Sequence, residues 1–453
     1  GNDNNIAASS TGATIAGGTT NNIAATATNS TISGGTTNTI DVNSISATIS
    51  GGSTNSSTAN YTSIGGGNSN KATDEYNTVG GGSDNIAGDN DATLDDAHYA
   101  TVSGGRENLS QDDYTTIGGG YQNTVGDGSA LGSYGTIAGG VGNSVTGVGG
   151  FIGGGGGIGN DVLGFSLPLS NSIIAVYGAI VGGQGNKVDG AHGFVGGGFQ
   201  NNSIGTFSSV VGGFKNSVGG TLPPSIATYS AIVGGQVNKV TAGTHNFIGA
   251  GQSNNIIAGN WNSIVGGQTN TITAGNWNSI LGGQGNTVTA GNHNTILGGT
   301  GNSVTGGLAF AMGTGCSAAA GGFALGNAAT AAAGELSAIY ATGFRYSTAG
   351  YEDHTIGGAA TYNITGAETH SVGGAVSYNV TGATSITSGA TNNFTSTGNT
   401  TITAPTINLT GNVVISGTVT VTGAATFNGA LVSNGATSLN GAVTTAGAAT
   451  GLT

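Results

Sequence analysis

Ile232, Ile248, Ile264, Ile280 and Ile296 stand sixteen residues apart, and so do Asn238, Asn254, Asn270, Asn286 and Asn302. Val240, Ile256, Ile272, Val288 and Val304 keep the same step. One residue type per slot at a fixed period is the mark of stacked, near-identical coils. The motif Gly-Gly-x-x-Asn carries a looser form of this period back to the N-terminal coils. A chain built this way grows in one dimension, so length does not translate into a number of globular domains.

One coil, Trp261 to Asn276, shows what each turn is made of. Two β-branched segments, Asn-Ser-Ile-Val and Thr-Ile-Thr, are each closed by a glycine turn. Ile and Thr suit strands, and Gly-Gly and Ala-Gly allow positive φ. The coil therefore reads as two strands of about five residues joined by short turns. Glycine at this density would cost a helix about 1 kcal/mol at each occurrence. Gly is 93 of 453 residues without a three-residue step, which excludes collagen. Charged residues are 6% of the chain and net charge is −13. With only 6 Lys and Arg there is no basic face for nucleic acid. No apolar run reaches the roughly 18 residues of a membrane-spanning helix. The chain opens at Gly1 without a leader and reads as a processed or truncated product. Cys316 is the lone cysteine, so stability must come from stacking and association.

The Asn slot returns at Asn21, Asn38, Asn55, Asn70, Asn85, Asn108, Asn123, Asn143, Asn160, Asn186, Asn201 and Asn216. A turn Asn bonds its own backbone, and stacked copies bond each other in a ladder. That reading is preferred over calcium along the roll, because the slot is neutral. Three residues before each core Ile or Val stands a ring. The series is Tyr61, Tyr76, Tyr99, Tyr114, Tyr134, Tyr177, His192, Phe207, Tyr229, His245, Trp261, Trp277 and His293. In a continuous strand an odd offset turns the ring away from the Ile. An aromatic packing ladder between coils or subunits is expected, with a sugar-stacking track as the functional alternative.

The period breaks at four insertions, Gly88–Ala97, Gly126–Ser133, Asp161–Val176 and Gly219–Thr228, all read as following the Asn slot on one side of the coil. Solenoid insertions on one face become projecting, often binding, loops. Binding candidates are Asp89, Asp91, Asp95 and Asp96 in the first, Leu163 and Phe165 in the third, and Pro223 and Pro224 in the fourth. The acidic group reads as a solvated loop before a cation site. Asp74, Glu75, Asp84 and Asp112 read as solvated surface without the fixed acid pair of a polysaccharide-cleaving enzyme. Neither an enzyme nor a cofactor is expected.

The roll is assigned to 1–308, an Ala-rich transition to 309–350, an octapeptide needle to 351–400, and a shaft with a six-residue step to 401–453. In the needle, His354 and His370 alternate with Tyr362 and Tyr378, so packing is preferred over a metal site. Such short steps leave too little core for a lone chain, so several chains are expected to wind together.

Units such as Tyr114–Asn123 resemble the head repeats of trimeric autotransporter adhesins and related haemagglutinin-like proteins, over roughly Ile15 to Gly350. That resemblance implies a left-handed parallel β-roll with three chains side by side. The octads from Thr355 to Gly382 resemble the trimeric β-helical needle of phage baseplate spikes and secretion-system spike proteins. Gly411–Gly447 is similar to the shaft of phage tail fibres. Together these imply an all-β, homotrimeric, fibrous parallel β-roll or β-helix solenoid followed by an intertwined trimeric shaft. No heptads or barrel-like segments are seen, which favours a virion fibre over a bacterial surface adhesin. A purely structural filament or sheath subunit is the remaining class. The expected partners are further copies of itself, other tail or baseplate proteins, and a host surface glycan or protein, at the virion surface.

Overall fold

A computed structural model describes residues 2–89, 97–128, 134–157, 169–220 and 227–339, together with strand backbones between 406 and 450. Each coil is two copies of one eight-residue pattern. Asn262-Ser-Ile-Val-Gly-Gly-Gln-Thr269 is followed by Asn270-Thr-Ile-Thr-Ala-Gly-Asn-Trp277. The Ile at the third place of each half, Ile264 and Ile272, is fully buried. Burying such a side chain stabilises by about 1.5–3 kcal/mol, and each coil of this type contributes two.

Strands are shorter than the five residues expected. Only Ser263–Ile264 and Thr271–Ile272 are strand in this coil. The reason lies in the last three places of each half. Gly267 and Gly275 have φ of +92° and +98°, and Thr269 and Trp277 have φ of 54° and 60°. Two left-handed residues within three turn the chain sharply and leave no room for a longer strand. A Cβ on Gly267 would collide with the Gly283 carbonyl of the next coil. Close stacking, as well as the turn, therefore requires glycine there.

Stacking the halves makes two sheets of twenty parallel strands each. Sheet 1, which follows the aromatic turn, runs from Thr14–Ile15 to Leu336–Ile339. Sheet 2, which follows the Asn slot, runs from Asn5–Ile6 to Thr330–Ala331. Register is kept from coil to coil, as in Ser263↔Ser279 and Ile264↔Ile280. No helix occurs among the described residues. The all-β parallel solenoid read from the sequence is the fold observed.

The Asn slot is buried and fully bonded. Asn270 Nδ2 donates to the Gly266 carbonyl at 2.9 Å and to Gly283 of the next coil at 3.0 Å. Its Oδ1 accepts the Asn286 backbone N–H at 3.0 Å. An unpaired buried amide would cost about 1–3 kcal/mol per group, so the ladder is a condition of closing the turn. A second ladder follows the rings through Asn246, Asn262, Asn278 and Asn294, where Asn262 Nδ2 donates to the Gly275 carbonyl at 2.8 Å. It escaped the sequence reading. The signal was the half-coil symmetry, which puts an Asn at the start of both halves.

One rung differs from expectation. The slot assigned to Asn160 is filled by Asn171, whose N–H donates to Asn143 Oδ1 at 3.3 Å and whose Nδ2 reaches Gly183 at 2.9 Å. Ser172–Ile173 then pairs normally with Ser144–Val145. The third insertion therefore precedes the Asn slot, on the opposite edge of the coil from the other three. Either edge closes one half of a near-symmetric coil, so length alone cannot say which edge an insertion enters.

The stack continues beyond Ser303–Thr305 through Phe310–Thr314 and Phe323–Asn327, where strands reach 5 residues. Cys316 ends the Asn ladder, its backbone N–H donating to Asn302 Oδ1 at 2.8 Å. A second unit spans Gly350–Thr453. In it Thr406 pairs with Ala424, Val413 with Leu431 and Val419 with Thr437. Three six-residue steps thus form one three-sided coil, and these pairings lie within one chain. The octapeptide segment, with His354 and His370, lies outside the described residues.

Candidate functional site

The edge between sheet 2 and sheet 1 carries the rings. They do not sit in a continuous strand, as the odd offset assumed. They occupy the last place of the half-coil in the left-handed region, with φ of 59° at Tyr61, 58° at Trp261 and 60° at His293. From there the side chains project outward and stack on one another. Tyr61, Tyr76, Tyr99, Tyr114 and Tyr134 form one run, with ring centroids 4.8–5.1 Å apart and planes within 5–6°. Tyr177, His192, Phe207, Tyr229, His245, Trp261, Trp277 and His293 form a second, including His245 and Trp261 at 3.9 Å. Gly149 holds the ring slot between the runs, and a Cβ there would meet the Tyr177 ring. Within each run the flat faces on which a sugar would stack are covered by neighbouring rungs. Edges and hydroxyls face the solvent. Crowding raises the Tyr76 phenol above the ordinary tyrosine value, first by loss of water and then by the charges of Tyr99, Glu75 and Tyr61.

Three insertions join this edge. Residues 90–96 lie between Ile86–Ala87 and Tyr99, 129–133 between Thr124–Val125 and Tyr134, and 221–226 between Ser217–Val218 and Tyr229. Asp91, Asp95, Asp96, Pro223 and Pro224, and Leu163 and Phe165 of the third insertion, fall outside the described residues. Asp89 is described, and its N–H donates to Asp74 Oδ2 at 3.2 Å. Asp74 and Asp112 are buried, against the solvated placement expected for them. Asp112 Oδ1 accepts the Gly128 N–H at 3.0 Å. Each carboxylate thus holds the entry of an insertion in the following coil, work for which a turn Ala at the same place has no acceptor. Glu75 is partly buried and accepts from Asn60 Nδ2 at 2.7 Å, while Asp84 is exposed. Among the described residues, no three His, Cys, Asp or Glu side chains gather as a metal site.

The outward face of sheet 1 changes character along its length. From Thr14 to Ala138 the outward residues flanking the core row are hydroxyl-bearing or small. From Phe151 onward one of the two outward places in each coil is large and apolar, in turn Phe151, Val181, Phe194, Val211, Val233, Phe247, Val265, Leu281, Leu297, Met312 and Phe323, all substantially exposed. The other stays small or hydroxyl-bearing as far as Thr295. Val265 is 51% exposed and Leu281 42%. The sequence reading passed over this division because it followed the buried slots and not the places beside them.

No protein-family model matches the sequence, and no curated protein matches it with significance.

Proposed function

We propose that the chain is the structural subunit of a homotrimeric fibre at a virion surface, where loops on the ring edge attach to a host surface glycan or protein. The observation that carries the reading is the apolar half of sheet 1. Eleven large side chains, each at least 36% exposed, form an apolar strip along the sheet of the kind that a stable interface, burying roughly 800 Å² per partner, would cover. Lone soluble chains seldom leave so large an apolar patch in water. Three parallel copies also repeat each loop three times around one axis. Weak contacts to a repetitive surface then reinforce one another through effective concentration. Other tail or baseplate proteins would anchor the fibre.

Native mass measurement tests the assembly, with three chains per particle expected. The pair Val265→Glu and Leu281→Glu should give single chains of unchanged circular dichroism. A wild-type particle of one chain overturns the reading. Attachment is read separately, as binding of the purified fibre to host cells and its loss on shortening 90–96 and 221–226.

A further inference from the structure

The hydroxyl half of sheet 1 has a regularity that chain association does not need. Its strands place one Thr or Ser per coil in direct register, through Thr31↔Thr48, Thr48↔Ser63, Ser63↔Thr78, Thr78↔Thr101 and Thr101↔Thr116. The row begins at Thr14 and ends at Thr136, where the next coil substitutes Phe151. Two residues further along each strand runs a second row, of Ala, Ser or Gly alone, from Ala16 to Ala138. Neither row contains a charge or a long side chain. Sheet 2 lacks this uniformity over the same coils, carrying Asp41, Lys71, Leu109 and Gln111 on its outward side.

Regular spacing accompanies the composition. Coils repeat at about 4.8 Å along the stack, and the two rows lie about 6.6 Å apart across it. Every partner pair along the row keeps the same register, with no shift from one coil to the next. Threonine is stiff at χ1, and the turn that follows each of these strands is held by the first Asn ladder, as where Asn38 Nδ2 donates to the Gly34 carbonyl. The face is thus a regular, rigid grid of hydroxyls and methyls, fixed before any ligand arrives.

We propose that this face binds ice. Liquid water has no lattice for such a grid to match, whereas the repeat of ice lies close to that of the coils. Waters held between methyls and hydroxyls at successive coils join a crystal plane together, so individually weak contacts act as one. Rigidity removes the cost of ordering side chains on binding. A second copy is a poorer occupant, because each hydroxyl buried without a partner costs about 1–3 kcal/mol, and the apolar half of the same sheet offers copies more. Both readings use the outward face of sheet 1, so this one requires that copies meet over the apolar half alone and leave the hydroxyl half uncovered. Particle mass reports association and ice partition reports this inference.

The test freezes a solution of the full chain slowly around a cold probe and measures how much protein enters the ice, alongside thermal hysteresis and crystal shape. The wild type should concentrate in the ice and shape the crystals. Thr78→Lys with Thr101→Lys should lose most of that uptake at unchanged circular dichroism, and the milder Thr78→Val with Thr101→Val should retain more. Thr39→Lys with Thr124→Lys on sheet 2 should keep it. Wild-type protein excluded from ice like an ordinary solute overturns the proposal. So does equal loss from the sheet 2 pair, or a fall in particle mass caused by the Thr78 and Thr101 lysines, which would make the row a contact between copies.

Discussion

At the scale of single residues, adjacent identical glycines do different work. Gly267 needs its positive φ and its missing Cβ, whereas a Cβ on Gly266 approaches only the Ala250 carbonyl, at 3.9 Å. The chain itself uses Ala at the equivalent place, as at Ala250 and Ala274. Gly266→Ala should therefore change stability by less than about 0.5 kcal/mol. Gly267→Ala should cost well over ~1 kcal/mol, from strained φ and the collision together. Chemical unfolding of the two variants side by side checks this. Tyr76 supplies a pH prediction. Its phenol is raised in the folded chain, so with rising pH the unfolded chain releases the proton first. The associated stability is whole below about pH 10 and declines as pH climbs from there through the raised folded value. Tyr76→Phe should flatten that alkaline decline, read by thermal melting across the window. An unchanged slope would assign the decline to other groups.

At the scale of elements, the half-coil is the building unit, and its two ends are specialised. One end carries the stacked rings and three of the insertions. The other is closed by the first Asn ladder. Insertions are held at their roots, where Asp112 meets the Gly128 N–H. Asp112→Ala should speed protease cleavage within 129–133 and leave the core melting transition nearly unmoved. Limited proteolysis followed by mass spectrometry distinguishes this from general destabilisation, in which cuts would spread to neighbouring turns. The rings contribute in the same local way. A stacked pair adds about 0.5–1.5 kcal/mol beyond area burial, so the ladder stiffens the edge one coil at a time.

At the scale of the molecule, contacts run mainly between successive coils, as expected of a solenoid. Among the described residues nothing covers the outward Val, Leu and Phe of sheet 1. If copies cover them, the melting midpoint should rise with protein concentration, because association draws on the folded state alone. The Val265→Glu and Leu281→Glu pair should melt at one temperature over the same dilution series. A wild type indifferent to concentration would count against association through this face.

The repeat by itself determined the all-β solenoid, the buried Ile row, the Asn slot and the identity of the stacked rings. Each of these returns to the same surroundings in every coil, and periodicity reports repeated surroundings directly. Tertiary structure decided what the period leaves open. It shortened the strands up to Ser279–Ile280 to two residues through left-handed turns, and moved the rings from strand to turn. It seated Asn171 where Asn160 was expected, because both edges of a near-symmetric coil accept an insertion. It buried Asp74 and Asp112, since a backbone N–H at a loop root needs an acceptor that composition cannot reveal. It also divided sheet 1 into a hydroxyl half and an apolar half. Whether such outward places lie side by side depends on the register of coils interrupted by insertions, and hydrogen bonding between coils sets that register.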